Sequence, residues 1–203
     1  MNVDEKKQRR KGRVTFLLLL AVFFGAWLLA FAVSRNHSWL PSKTKNHGEL
    51  ITPARQLAEF NLHSLDGAAF HLRDVQGKWS VMYVGGSDCN DICKDVLYKI
   101  RQSRLAQSGN AQRVHYIYLL TDKAPSESLT RLLREHDKLQ VVTGETAELN
   151  KLINNFTLDP AQPVSSAQRA YVIDPMGRVM MSYKADFAGK GMIKDLELLL
   201  KVL

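Results

Sequence analysis

The chain has 203 residues, of which 45% are hydrophobic and 24% charged, with a formal net charge of +8. That length allows one globular domain plus an appendage. The first 13 residues hold six basic and two acidic side chains, half of the net charge, so the basic balance is mainly a topology signal and no patch argues for nucleic acid.

The first predicted element is the uncharged apolar run Val14–Val33, 20 residues long. At about 1.5 Å rise per residue it spans a hydrocarbon core of about 30 Å and reads as a transmembrane helix, residues 14–33. Ala30-Phe31-Ala32 has the form of a signal-peptide cleavage site. The run exceeds the usual apolar region of roughly 7–15 residues in such peptides, which favours an uncleaved anchor. Lys6, Lys7, Arg9, Arg10, Lys11 and Arg13 precede it, and only Arg35, Lys43 and Lys45 follow closely. The positive-inside rule puts residues 1–13 in the cytoplasm and the rest of the chain on the other side. Residues 34–56 are polar and read as a linker, with Pro41 within it and Trp39 placed for the membrane interface.

A folded domain is expected from residue 57 to 203. Phe60 and Leu62, then Phe70 and Leu72, flank Asp66-Gly67, a hairpin signal. Trp79–Val84 is a short apolar run bounded by glycines and predicts a buried strand. Ile92, Val96, Leu97, Ile100 and Leu105 recur at helical spacing. Val114–Leu120 predicts a second buried strand, Pro125–His136 a helix, Leu139–Val142 a strand and Glu145–Phe156 a helix. Tyr171–Met180 reads as strand, turn, strand. Gly191–Leu203 closes with a helix whose inward residues are Ile193, Leu196, Leu198, Leu199 and Val202. Strands alternating with helices point to an α/β sheet covered on both faces.

Chemistry concentrates at Gly85-Gly86-Ser87-Asp88-Cys89-Asn90-Asp91-Ile92-Cys93, which holds both cysteines of the chain. It lies between a predicted strand and a predicted helix. A helix N-terminus favours thiolate over thiol, so the pair suggests a dithiol that opens and closes, or a clip for a soft metal. A structural staple is the blander reading, but so small a loop gains little chain entropy from closure. Cys89, at the helix entrance, would attack; Cys93, one turn on, would resolve the mixed disulfide. Neighbours four apart on a helix have Cβ atoms about 5–6 Å apart, too far for a disulfide, so closure requires Cys89 to leave helical geometry. Asp88 and Asp91 dress the helix start. His37, His47, His63, His71, His115 and His136 are scattered, and Met176, Met180 and Met181 read as packing groups rather than metal donors.

The order of parts resembles the thioredoxin superfamily, and within it the Sco/SenC group of cytochrome oxidase assembly proteins. The Phe60–Leu72 hairpin, the C-x-x-x-C spacing of Cys89 and Cys93, Tyr116-Ile117-Tyr118-Leu119-Leu120-Thr121-Asp122 and Tyr171-Val172-Ile173-Asp174-Pro175-Met176-Gly177 carry the resemblance. The spacing is the most specific, since ordinary thioredoxins use C-x-x-C. The resemblance implies a thioredoxin-like fold, a central mixed sheet flanked by helices. It also implies a role in cytochrome c oxidase biogenesis and an oxidase subunit or assembly factor as partner. In the family the two cysteines and a distant histidine hold copper; here the histidine position is Ser166, and Lys94 replaces the proline that follows the second cysteine. Gln168 and Arg169 stand where thioredoxin-like oxidoreductases carry a cis-proline. The resulting expectation is thiol–disulfide exchange through Cys89 and Cys93. The alternatives are a Cu(I) metallochaperone with those two residues as metal ligands, or an assembly scaffold without turnover. The expected setting is the bacterial inner membrane with the domain in the periplasm. A mitochondrial site is the alternative, and Asp4 and Glu5 fit a transit peptide poorly.

Overall fold

The computed structural model describes residues 3–35 and 45–201. The expected interface residue Trp39, with Pro41 and His37, lies outside the described residues. The chain divides into two units, residues 1–45 and 46–203. The first is the helix α1 (Val3–Arg35), whose stretch Phe16–Arg35 is long and apolar enough to cross a membrane, with a mean hydropathy of 2.7. Its large apolar side chains, Phe16 and Trp27 among them, are exposed.

The second unit is built on one eight-stranded mixed sheet in the order β1-β8-β7-β4-β5-β6-β2-β3. The strands are β1 (Glu49–Gln56), β2 (Asn61–Ser64), β3 (Ala69–His71), β4 (Trp79–Gly85), β5 (Val114–Leu120), β6 (Leu139–Thr143), β7 (Ala170–Ile173) and β8 (Arg178–Tyr183). The central β4, β5 and β6 run parallel; β7 pairs antiparallel with β4, in register Tyr83↔Ala170 and Ser80↔Ile173. The helices are α2 (Leu72–Val75), α3 (Asp91–Ala106), α4 (Glu127–Leu133), α5 (Thr146–Phe156), α6 (Val164–Ala167) and α7 (Gly189–Leu199), with a 3-10 helix at Ser108–Arg113.

Side chains of β4 alternate between two cores, as the pleat requires. Val81 and Tyr83 join Val96, Leu97 and Ile100 of α3 and Met192 and Leu196 of α7. Met82 and Val84 join Leu149, Leu152 and Phe156 of α5 on the other face. A strand buried on both sides reads as a continuous apolar run, which is why β4 and β5 were visible in the sequence. Gly67 adopts φ 86° in the β2–β3 turn, where the Ser64 and Gly67 amides donate to the Ala68 and Ser64 carbonyls, as Asp66-Gly67 predicts.

Three expectations need correction. Residues 49–56 are not linker but the edge strand β1, paired with β8 through Glu49↔Ser182 and Gln56↔Arg178. Only Ile51 is buried along it, so it has no alternating pattern to read. The inward stripe of α3 begins at Cys93, and Ile92 and Leu105 are 51% and 50% exposed. In α7 the buried positions are Gly191, Met192, Asp195 and Leu196, whereas Ile193 and Leu199 are half-buried, Leu198 is exposed and the expected Val202 lies outside the described residues. Asp195 tolerates burial because its carboxylate accepts from the His47 and Gly48 amides at 2.8 and 2.9 Å and from the Tyr183 hydroxyl at 2.7 Å.

Candidate functional site

β4 ends at Gly85, at the carboxyl edge of the parallel strands, and α3 begins after five intervening residues. The intervening turn is fixed from below. The Tyr118 hydroxyl donates to the Gly86 carbonyl at 2.9 Å, and the Thr121 amide donates to the Gly85 carbonyl at 2.9 Å. The Ser87 amide donates to the Asp122 carboxylate, and the Ser126 amide to the Ser87 carbonyl at 3.2 Å. Bonds from the Ser87 hydroxyl and amide hold the Asp122 carboxyl below its ordinary value. Gly85 permits the close approach: a Cβ there would stand 2.5 Å from the Tyr118 hydroxyl and 2.7 Å from the Tyr83 ring. Asp122, singled out as the end of the β5 motif, therefore braces the dithiol turn.

Cys89 and Cys93 form a disulfide with a Cα–Cα distance of 5.2 Å, inside the usual span for such bridges. Closure works as the spacing requires, because Cys89 precedes the helix. The N-cap is Asn90, whose side chain accepts from the Cys93 amide at 2.9 Å. Cys93 is buried at 2% exposure, while Cys89 is partly exposed. The pair is thus asymmetric: Cys89 keeps partial exposure, whereas Cys93 belongs to the buried core cluster that holds Val96 and Leu97. The capping role of Asn90 went unread beside its acidic neighbours, although asparagine before a helical run is a start signal. Asp91 sits in the first turn and pairs with Lys94 at 2.9 Å, which lowers its pKa; Lys94, expected at the position of the resembled family's proline, is thus part of a surface ion pair.

The 163–169 loop closes the opposite side. Ser166, the residue expected where the resembled family carries its histidine, is exposed, and its hydroxyl donates to the Pro163 carbonyl at 2.9 Å. Gln168 Nε2 donates to Asn90 Oδ1 at 3.1 Å, so this loop faces the dithiol turn, with glutamine where oxidoreductases present proline.

Among the described residues, the soft donors at this turn are the two cysteine sulfurs. Among the described residues no three His, Cys, Asp or Glu side chains converge. His47 binds Asp195, His115 binds Gln140 at 2.7 Å, and burial, with the charge of Arg101, lowers the pKa of His136. Met176 lies in the β7–β8 turn, at the Trp79 end of β4 and away from Gly85, and Met181 is buried in the core. The Tyr171–Gly177 motif serves that turn: Asp174 Oδ1 accepts from the Met176 and Arg178 amides at 3.0 and 2.9 Å. Among the described residues no third such ligand joins the two cysteines, whose thiolates remain as soft donors.

Comparison with known proteins agrees with this architecture. The protein SCO2 homolog of mouse mitochondria is 24% identical over 175 residues, covering 82% of this chain and 68% of that protein. The matches span 61% and 51% of the human and Arabidopsis mitochondrial homologues. Yeast Sco1 with copper bound superposes with a TM-score of 0.62 at 21% identity, over 73% of this chain and 94% of that one. BsSco, described as a Sco family member with a disulfide switch, superposes with a TM-score of 0.59 at 16% identity, over 76% and 99%. Residues 79–203, from β4 onward and including the dithiol helix, match the family described as transmembrane-like, thioredoxin-like, C-terminal domain, and the chain belongs to that family.

Proposed function

We propose that this protein is a membrane-anchored thiol–disulfide exchange protein that supports cytochrome c oxidase biogenesis. The observation that carries the reading is the asymmetry of the Cys89–Cys93 bridge, with Cys89 partly exposed at the mouth of α3 and Cys93 buried behind it. A partner thiolate attacks Cys89 Sγ and Cys93 leaves as a thiolate; in the reverse direction Cys89 attacks a partner disulfide and Cys93 resolves it. The N-terminus of a 16-residue helix at the dithiol favours the thiolate in either direction. The apolar stretch Phe16–Arg35 supplies the anchor, and the flanking charges orient the domain to the periplasmic side. The oxidase role draws support from the relatives: BsSco is described as belonging to a family of cytochrome c oxidase assembly proteins, and the partner is accordingly an oxidase subunit or assembly factor.

The decisive test is trapping. On incubation with glutathione disulfide, Cys93→Ser should accumulate a mixed disulfide between Cys89 and one glutathione, the other leaving as thiolate, readable as a mass shift, and Cys89→Ser should not. Equal labelling of both variants, or of neither, contradicts the assigned roles.

A second reading has its own support. The reduced pair would offer two thiolates within one turn, and yeast Sco1 of the same fold has been solved with copper bound. In this reading Cu(I) is cargo, held by Cys89 and Cys93. Titration of the reduced protein against a Cu(I) chelator, with Cys89→Ser alongside, distinguishes the two. Binding lost in the variant supports copper handling. A double Cys89→Ser, Cys93→Ser variant that retains oxidase assembly in cells contradicts both readings and leaves a scaffold.

A further inference from the structure

Gln168 caps α6 in the left-handed region, at φ 49° and ψ 40°. That conformation suits glycine, and a longer side chain persists there only where the surroundings over-determine it. The surroundings are well fixed. Arg169 Nη1 donates to Glu49 Oε2 at 2.7 Å and to Ser182 Oγ at 3.1 Å, and Ala170 pairs with both Tyr83 and Tyr183. From this braced position the Gln168 amide reaches across to Asn90 Oδ1 at 3.1 Å. The same oxygen accepts from the Cys93 amide at 2.9 Å. Asn90 follows Cys89 and caps the helix that carries Cys93, so the closed bridge wraps the chain around Asn90. A turn cap needs only the positive φ, which glycine supplies; the amide contact to the dithiol helix is a separate feature.

We propose that Gln168 is a positioning residue of the dithiol, its amide latching Asn90 in the conformation that closes the Cys89–Cys93 bridge. The inference rests on the reading of that bridge as reversible. In reduction by glutathione, one glutathione thiolate attacks Cys89 Sγ, the Cys89–Cys93 bond breaks and Cys93 leaves as a thiolate. A second glutathione thiolate attacks the mixed disulfide, releasing Cys89 as a thiolate and glutathione disulfide, so two electrons enter the bridge. The latch belongs to the closed form, because opening frees Cys89 and Asn90 to move. Losing the donor therefore weakens the closed form and makes the bridge easier to reduce.

The test poises the full chain in glutathione buffers and counts alkylated thiols by mass. Gln168→Gly keeps the backbone conformation and removes the donor; Gln168→Asn keeps tolerance of that conformation with an amide one methylene too short. Each should shift the equilibrium with glutathione about three- to tenfold toward the dithiol, the effect of one ordinary hydrogen bond, equal to roughly 14–30 mV. The thermal midpoint of the glycine variant should change little, because glycine relieves the left-handed strain that offsets the lost bond, which separates positioning from a merely structural role. In an Asn90→Ala background Gln168→Gly should add no further shift. A glycine variant within twofold of the parent, or one whose shift survives in the Asn90→Ala background, overturns the latch while leaving the dithiol reading intact. A parent bridge that glutathione never opens overturns both.

Discussion

Gly85 carries the sharpest structural demand at the site. Gly85→Ala would place a Cβ 2.5 Å from the Tyr118 hydroxyl and 2.7 Å from Tyr83 Cε1. Neither ring can swing away, since Tyr118 and Tyr83 are 0% and 1% exposed and pack edge to face at 5.2 Å. Overpacking of this kind costs about 1–3 kcal/mol. Displacing Tyr118 also breaks its bond to the Gly86 carbonyl, about 1 kcal/mol more. The expected loss is about 2–4 kcal/mol, or roughly 4–16 °C in Tm for a domain of this size. Thermal and urea unfolding followed by circular dichroism measure it. Tyr118→Phe should cost about 1 kcal/mol alone, yet restore part of the loss when added to Gly85→Ala, because it removes the atom that the new methyl meets. A Gly85→Ala protein within about 0.5 kcal/mol of the parent, the usual range for an inconsequential substitution, or a double variant that is simply additive, would refute the claim that Tyr118 supports the dithiol turn from below.

Asp122 gives a pH prediction. Its carboxyl is held below the ordinary value of 3.8 by the Ser87 hydroxyl and amide, so the stabilisation is present above that pH and is lost as pH falls through the depressed value. Acid unfolding of Asp122→Asn should therefore lose part of the parent's pH dependence below about pH 4, and superimposable curves would contradict the brace. Asp174→Ala removes the acceptor for the Met176 and Arg178 amides and should cost about 1–3 kcal/mol in urea unfolding. Its glutathione equilibrium should match the parent's, because that turn lies at the other end of β4; a changed equilibrium would mean the motif serves the dithiol after all. Ser166→His places an imidazole where the resemblance expects the copper histidine and should raise Cu(I) affinity of the reduced protein by about tenfold or more, a gain of at least about 1.4 kcal/mol. Unchanged affinity in chelator competition would show that the loop has diverged beyond its one residue.

The elements legible in the sequence were those whose burial imposes a period. β5 was expected at Val114–Leu120 and lies there, and the α3 stripe at Val96, Leu97 and Ile100 is buried as its spacing suggested. β1 escaped because it is an edge strand with a single buried side chain, held by pairing to β8 and by the grip of Asp195 on His47 and Gly48. Such contacts join residues more than a hundred positions apart and leave no local trace. The site divides in the same way. The cysteines and the strand–helix turn were readable from residue type and spacing, and Asp122 from its motif. Tyr118 read as one more apolar position in a buried strand, because nothing in a single chain says which hydroxyl meets the Gly86 carbonyl. Gln168 was visible only as a missing proline, and its hold on Asn90 needs the loop and the helix side by side.

The reversible dithiol is the central claim, and its reduction potential tests it most directly. The full chain would be equilibrated across thiol buffers of known potential, quenched in acid, alkylated and weighed, with the Cys93→Ser protein as the single-thiol standard. A partly exposed working bridge should open above about −300 mV, within reach of cellular thiol carriers. A bridge that stays closed to potentials well below about −300 mV behaves as a structural disulfide, and that result would contradict the account.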